Sequence, residues 1–417
     1  MYNPFYGKNR MNKPLKERTF FVLIILSMAV SICPLQISDV KAAQLPENNT
    51  GAVLCSPSVY IQTPDDCVPL GPSQYLTELA QQGMQWPLQP LDVSHPDPAL
   101  GDLSSSYFKV DKTGTTFYPS LDAAISKKGA SGGLAPGDFF YVVYTERIDL
   151  KKGTYYYLPS GAYIPGDGSD SKKITAPFLG VEVHSPPKND FGFVWNPTDI
   201  RREPNEMSYN LPLARLDFER DKDGNVLYPL RYPILRIYSS EIIEGTKWYL
   251  IGPEQWVLAR DIAAVIPNAT PPNGVINGRW IDVNLEQQTL AVYDQGQMVF
   301  ATVIATGRAP KYFTRPGLFT IYKKKELETM QGLRGTSDFY YLEDVPWTMY
   351  FDKARALHGA YWRARMGYIQ SHGCVNLTPG DAHWLFDWAS EGDWVYVHDP
   401  SGLTPTDPSF YGDGGGS

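Results

Sequence analysis

Apolar and polar positions alternate over Trp280-Ile281-Asp282-Val283-Asn284-Leu285, and β-forming runs follow at Leu290 to Tyr293 and Val299 to Ile304. Turn-forming clusters at Glu286-Gln287-Gln288 and Asp294-Gln295-Gly296-Gln297 separate them, which predicts a meander of three antiparallel strands. Thr314-Arg315-Pro316-Gly317 leads into a fourth expected strand, Phe319-Thr320-Ile321-Tyr322. The period changes after residue 377: Thr378 is placed to cap a helix, Pro379 suits its first turn, and Asp381 completes a Thr-x-x-Asp box. Trp384, Leu385 and Trp388 then form an apolar stripe ending before Gly392, and Trp394 to His398 reads as a closing strand. Lys323-Lys324-Lys325 is a short basic run expected on a loop.

Upstream, Tyr107-Phe108-Lys109-Val110, Phe139 to Tyr144 and Tyr155 to Leu158 are aromatic and β-branched runs broken by Gly and Asp. An internal echo links Gly153-Thr154-Tyr155-Tyr156-Tyr157-Leu158, then Tyr163-Ile164, to Gly245-Thr246-Lys247-Trp248-Tyr249-Leu250, then Trp256-Val257, and each copy reads as a hairpin. The echo divides this stretch into two small β modules, 102–175 and 176–268. Pro267-Asn268-Ala269-Thr270-Pro271-Pro272-Asn273-Gly274 marks a linker, so the last domain is expected over 269–400 with a tail at 401–417. Residues 43–101 are rich in Pro, Asn, Asp and Gln and read as a spacer.

The first 42 residues have the order of a signal peptide: Lys8, Arg10, Lys13, Lys16 and Arg18, an apolar run from Phe20 to Cys33, then small residues at Ala42 and Ala43. The run is short for a membrane span, so cleavage after Ala42 or Ala43 and export to the cell envelope are expected. Losing that segment removes six basic and two acidic residues, moving the formal net charge from -8 to -12, which argues against nucleic acid as a partner. Export also places the cysteines in an oxidising compartment. Cys33 leaves with the signal peptide, Cys55 and Cys67 are the expected disulfide, and Cys374 remains as a candidate reactive thiol.

That thiol lies in the most informative segment of the chain: His358-Gly359, a gap to Gln370, then Ser371-His372-Gly373-Cys374-Val375-Asn376. A thiolate is the nucleophilic form, and lowering a cysteine pKa by two units needs about 2.7 kcal/mol of preferential stabilisation. A neighbouring imidazolium and backbone N–H groups are the expected sources. A structural zinc on His358, His372 and Cys374 is the competing reading, one ligand short of the usual four. His95, His184, His383 and His398 are scattered, with ordinary surface or core roles expected.

His-Gly, about a dozen residues, then Ser-His-Gly-Cys-hydrophobic-Asn resembles the signature of the L,D-transpeptidase (YkuD-type) catalytic domain. The meander, Thr314-Arg315-Pro316-Gly317 and Val345-Pro346-Trp347 occur in the order that family shows. The resemblance implies a mainly β fold: a C-terminal transpeptidase-type β-sandwich with one or two helices, preceded by two modules similar to bacterial SH3-like domains. By the same resemblance Cys374 is the acyl-accepting nucleophile and His358 the base, with the Gly359 carbonyl steering its ring. His372 supports the site, the Gly373 and Cys374 amides form an oxyanion hole, and Ser371 and Asn376 brace the loop, although many relatives have Arg at the Asn376 position. Trp347, Met349, Tyr361 and Trp362 are candidates for an acyl-donor groove. No cofactor or metal is expected. The implied partners are peptidoglycan stem peptides and carbapenem-type inhibitors, and the implied product is a 3-3 cross-link. A carboxypeptidase using water, or a non-catalytic wall-binding protein, are the alternatives.

Overall fold

The computed structural model describes residues 74–85, 87–166, 178–205 and 232–411, with short strands at 54–55, 68–69, 170–171 and 210–216. The expected signal peptide and its cleavage point, Cys67 of the expected disulfide, and the end of the expected tail lie outside the described residues. Among the described residues no helix is long and apolar enough to cross a membrane.

The protein is mostly β, and its C-terminal part is built on two seven-stranded sheets. The expected meander is present as Trp280–Asn284, Thr289–Asp294 and Gln297–Val303, antiparallel throughout. Its period-2 pattern decides the layers, because successive side chains leave opposite faces of a strand. Ile281, Val283, Leu290 and Val292 enter one core with Met349, Leu357, Val375, Leu377, Leu385 and Val397. Trp280, Ala291 and Tyr293 face a second core with Phe191, Phe193 and Val265 from upstream. There the Trp280 and Tyr293 rings stack with centroids 4.4 Å apart, a cross-strand pair that fixes register. The expected fourth strand is Gly317–Thr320, and it pairs with the closing strand Trp394–His398, which runs parallel to Trp280–Asn284.

The second sheet carries the site. Its centre is the long hairpin Lys323–Gly332 with Tyr340–Asp352, followed by Arg355–Gly359 and then Val375–Leu377, the last two parallel. Lys323-Lys324-Lys325 therefore begins a strand rather than a loop. The basic run is tolerated there because Lys324 sends its ammonium to the Phe386 and Ala389 carbonyls, 2.5 Å each, at the C-terminal end of the helix. That helix is Pro379–Trp388, capped by Thr378 Oγ1, which accepts from the Asp381 N–H at 3.3 Å. Asp381 itself turns inward rather than completing a capping box: its carboxylate accepts from Thr302 Oγ1 at 2.7 Å and the Gly180 N–H at 2.9 Å.

Both echo segments are hairpins, Gly153–Tyr157 with Tyr163–Gly166 and Thr246–Gly252 with Gln255–Leu258. Strands from the upstream region also enter the C-terminal sheets. Ser106–Val110 pairs with Phe139–Tyr144, which runs parallel to the hairpin strand through Tyr340 to Leu342. Val181–Val183 joins the meander beside Gln297–Val303. The described residues accordingly fall in one compact unit.

Candidate active site

Two neighbouring parallel strands place the main residues. The register sets His358 opposite Asn376 and Leu357 opposite Val375, so Cys374, one residue before the second strand, sits level with Ala356. The Ala356 N–H points at Cys374 Sγ, 3.4 Å away. Gly359 closes the first strand against Pro346 and Pro379; a Cβ there would meet Pro346 Cγ at 2.9 Å, so the approach requires glycine.

The loop before Cys374 is held from both sides. Ser371 Oγ donates to the Cys374 carbonyl at 2.6 Å and accepts from the Gly373 N–H at 3.1 Å. Gly373 has φ +118°, a conformation side chains disfavour, and Thr314 Oγ1 donates to its carbonyl at 2.9 Å. The same Thr314 oxygen accepts from the Gly307 N–H at 2.9 Å. Backbone bonds from the Ser371 N–H to the Thr306 carbonyl, from the Arg308 N–H to the Ser371 carbonyl, and between Ala305 and Asn376 in both directions complete the brace. Ser371 and Asn376 thus tie the loop to its neighbours by hydrogen bonds. The Gly373 amide, expected in an oxyanion hole, is engaged by Ser371 in this resting arrangement.

His358 is 0% exposed, donates from Nδ1 to the Gly359 carbonyl at 3.2 Å, and accepts at Nε2 from Asn376 Nδ2 at 2.9 Å. Burial pushes its pKa down to about 4, opposed by the Gly359 bond and assisted by the nearby Arg363 guanidinium. Cys374 is also 0% exposed, and burial pushes its thiol up to about 11 despite the Ala356 bond. The resting pair is therefore neutral, opposite to the imidazolium-lowered thiol expected from the sequence. Desolvation disfavours both charged forms, and each polar atom already has a neutral partner.

His372 lies beside the pair, its ring 4.3 Å from that of Tyr312, with Arg308 Nη2 donating to its Nε2 at 3.3 Å. Among the described residues no group of three or more His, Cys, Asp or Glu is arranged to hold a metal ion. Of the four groove candidates, Trp362 is the neighbour of His358, with ring centroids 5.7 Å apart. Tyr361 stacks on Tyr107 at 3.6 Å, and Trp347 lies on His383 at 3.7 Å. Met349 is fully buried in the sandwich core.

Arg363 is the residue that sequence reading missed. It donates from Nε to Asn376 Oδ1 at 2.6 Å, and from its terminal nitrogens to Gln370 Oε1 at 2.5 Å and the Gln370 carbonyl at 3.1 Å. Its one signal in the chain was a cation directly after the apolar run Ala360-Tyr361-Trp362.

A family model for the L,D-transpeptidase catalytic domain (YkuD) matches residues 278–397. The C-terminal part of this chain is an L,D-transpeptidase-type domain. All of the loop, strand and helix residues around Cys374 and His358 described above, from Ala305 to Pro379, fall inside the match. Among solved structures, an L,D-transpeptidase from Stackebrandtia nassauensis is 30% identical over 32% of this chain and 60% of that one, with a TM-score of 0.26. The chain thus spans about 60% of that relative's length. The catalytic domain of the Enterococcus faecium L,D-transpeptidase is 29% identical over 30% of this chain and all of that one, TM-score 0.27. L,D-transpeptidase 3 from Mycobacterium tuberculosis, solved with a faropenem-derived adduct, is 20% identical over 37% of this chain and 67% of that one, TM-score 0.28. No curated protein matches the chain.

Proposed function

We propose that the protein is an exported peptidoglycan L,D-transpeptidase with Cys374 as nucleophile and His358 as base. The observation that carries this reading is that His358 lies on one of two adjacent parallel strands and Cys374 immediately precedes the other, inside the matched domain, with His358 Nδ1 committed to the Gly359 carbonyl. That commitment leaves Nε2 as the basic nitrogen.

In the reaction, Cys374 Sγ attacks the carbonyl of the third residue of a stem tetrapeptide while its proton passes to His358 Nε2. Asn376 yields Nε2 at this step. The oxyanion receives the Cys374 amide, joined by the Gly373 amide once Ser371 releases it. Collapse expels D-Ala, whose amine takes the proton from His358, and a thioester remains on Cys374. A side-chain amine of a second stem then attacks the thioester, gives its proton to His358, and the thiol is regenerated with a 3-3 cross-link formed. His372, flanked by Tyr312 and Arg308, is assigned to holding the donor. Because Cys374 and His358 are fully buried, donor binding has to open the site before chemistry.

The test is intact-protein mass spectrometry of the chain with and without a carbapenem, beside Cys374→Ala, followed by incubation with a disaccharide tetrapeptide. A stoichiometric adduct absent from the alanine variant, together with a dimeric product, is expected. Loss of D-Ala without dimer would make the enzyme a carboxypeptidase. A folded protein giving neither adduct nor product would move the function to wall binding.

A further inference from the structure

Arg363 has three acceptors, Asn376 Oδ1 and the side-chain and backbone oxygens of Gln370, and none of them carries charge. A guanidinium only donates, so the Asn376 amide must turn its oxygen toward Arg363 and its N–H2 end toward His358. An amide N–H2 only donates, so Nε2 of His358, 2.9 Å away, must accept. The other ring nitrogen faces the Gly359 carbonyl, which only accepts, so the proton belongs on Nδ1. Each polarity along this path is forced by its neighbour, and the origin is Arg363. An imidazolium would present N–H to N–H at Nε2, a contact that penalises the charged ring.

We propose that Arg363 is a positioning residue for His358, acting through Asn376 to keep the ring neutral with its lone pair on Nε2. The proposal rests on the reading of His358 as the base, because that is the form a base requires. Asn376 also supplies the flexible element: releasing Nε2 to the thiol proton requires the amide to turn against the hold of Arg363. Among the described residues, the groups facing His358 are few. They are the Gly359 carbonyl from its own strand, Asn376 from the neighbouring strand, and Trp362 and Arg363 from the following loop, with Cys374 two residues before Asn376. No carboxylate acts on the ring among the described residues.

The measurement is the protonation state of the His358 ring in the resting full chain, read from 15N–1H correlations and assigned by their loss in His358→Gln. In the parent protein the pattern of a neutral ring protonated at Nδ1 should persist down to pH 6. Arg363→Met frees the Asn376 amide to turn its oxygen toward Nε2, and the cationic fraction at pH 6 should rise at least tenfold. Arg363→Lys, which retains a donor, should stay within about twofold of the parent. Asn376→Asp, nearly isosteric, places an acceptor at Nε2 and should also raise the cationic fraction; it decides the matter if Arg363→Met does not fold. A merely structural Arg363 would leave the pattern unchanged in the folded variants, and that result overturns the proposal. The titration needs no turnover, so failure of carbapenem acylation would remove the proposed function while leaving this result to be judged separately.

Discussion

Alkylation of Cys374 in the resting protein should be slow, and its rate follows from the site. The thiol is pushed up to about 11, against an ordinary value of 9.0, so at pH 8 about one molecule in a thousand is thiolate rather than about one in ten. Because only the thiolate reacts, iodoacetamide should modify Cys374 about 100-fold more slowly in the native protein than in urea, before any loss from its complete burial. His358, at about 4, is protonated in roughly one molecule in ten thousand at pH 8, so it offers the resting thiolate no ion pair. His358→Gln should therefore change the native rate by less than about twofold while abolishing acylation by a donor.

The assay is a time course of peptide-mapped alkylation between pH 6 and 10, with the urea-unfolded chain as reference. The native rate should rise about tenfold per pH unit across this range, the slope of a single group titrating above it. A rate that levels off below pH 8 and collapses in His358→Gln would refute the reasoning. It would mean that Cys374 and His358 rest as a thiolate–imidazolium pair and that the burial of both groups does not set their charge.

Asp381 is fully buried and its carboxyl is pushed up to about 6 from 3.8, chiefly by burial. A carboxyl raised in the folded state weakens folding above pH 6, and the penalty fades as pH falls through 6 toward 3.8. The full effect is at most about 3 kcal/mol. Asp381→Asn should consequently show a smaller rise in Tm between pH 8 and pH 5 than the parent, and an unchanged rise would argue against the assignment. Thr314→Val keeps the shape of Thr314 but strands the Gly373 carbonyl and the Gly307 N–H, and should cost about 2 kcal/mol in urea unfolding. Carbapenem acylation should slow in the same variant, since the loop presenting Cys374 loses its tie.

The catalytic domain was legible in the chain to the extent that its signals are local. Strand alternation from Trp280 to Val303 and the Thr378-Pro379 helix start each depend on neighbours a few residues away, and each lies where the pattern places it. The placement of Lys324 was not legible, because its compensation comes from helix carbonyls more than sixty residues downstream. The pairing of Phe139–Tyr144 with Tyr340 to Leu342 was equally hidden, since a parallel ladder joining segments two hundred residues apart leaves no periodic trace in either. That pairing bears on the site. Tyr107 and Tyr141 share a buried cluster with Tyr340, Tyr361 and Cys374, and Tyr107 donates to the Asp344 carbonyl at 2.9 Å. The sequence suggests a catalytic domain preceded by separate modules, whereas the ladder makes the upstream aromatic strands part of the layer that buries Cys374. The burial of Cys374 is therefore a property of the longer chain: Leu103, Tyr107, Tyr141 and Val143 belong to the same buried cluster as the thiol and contribute to the desolvation that keeps it uncharged.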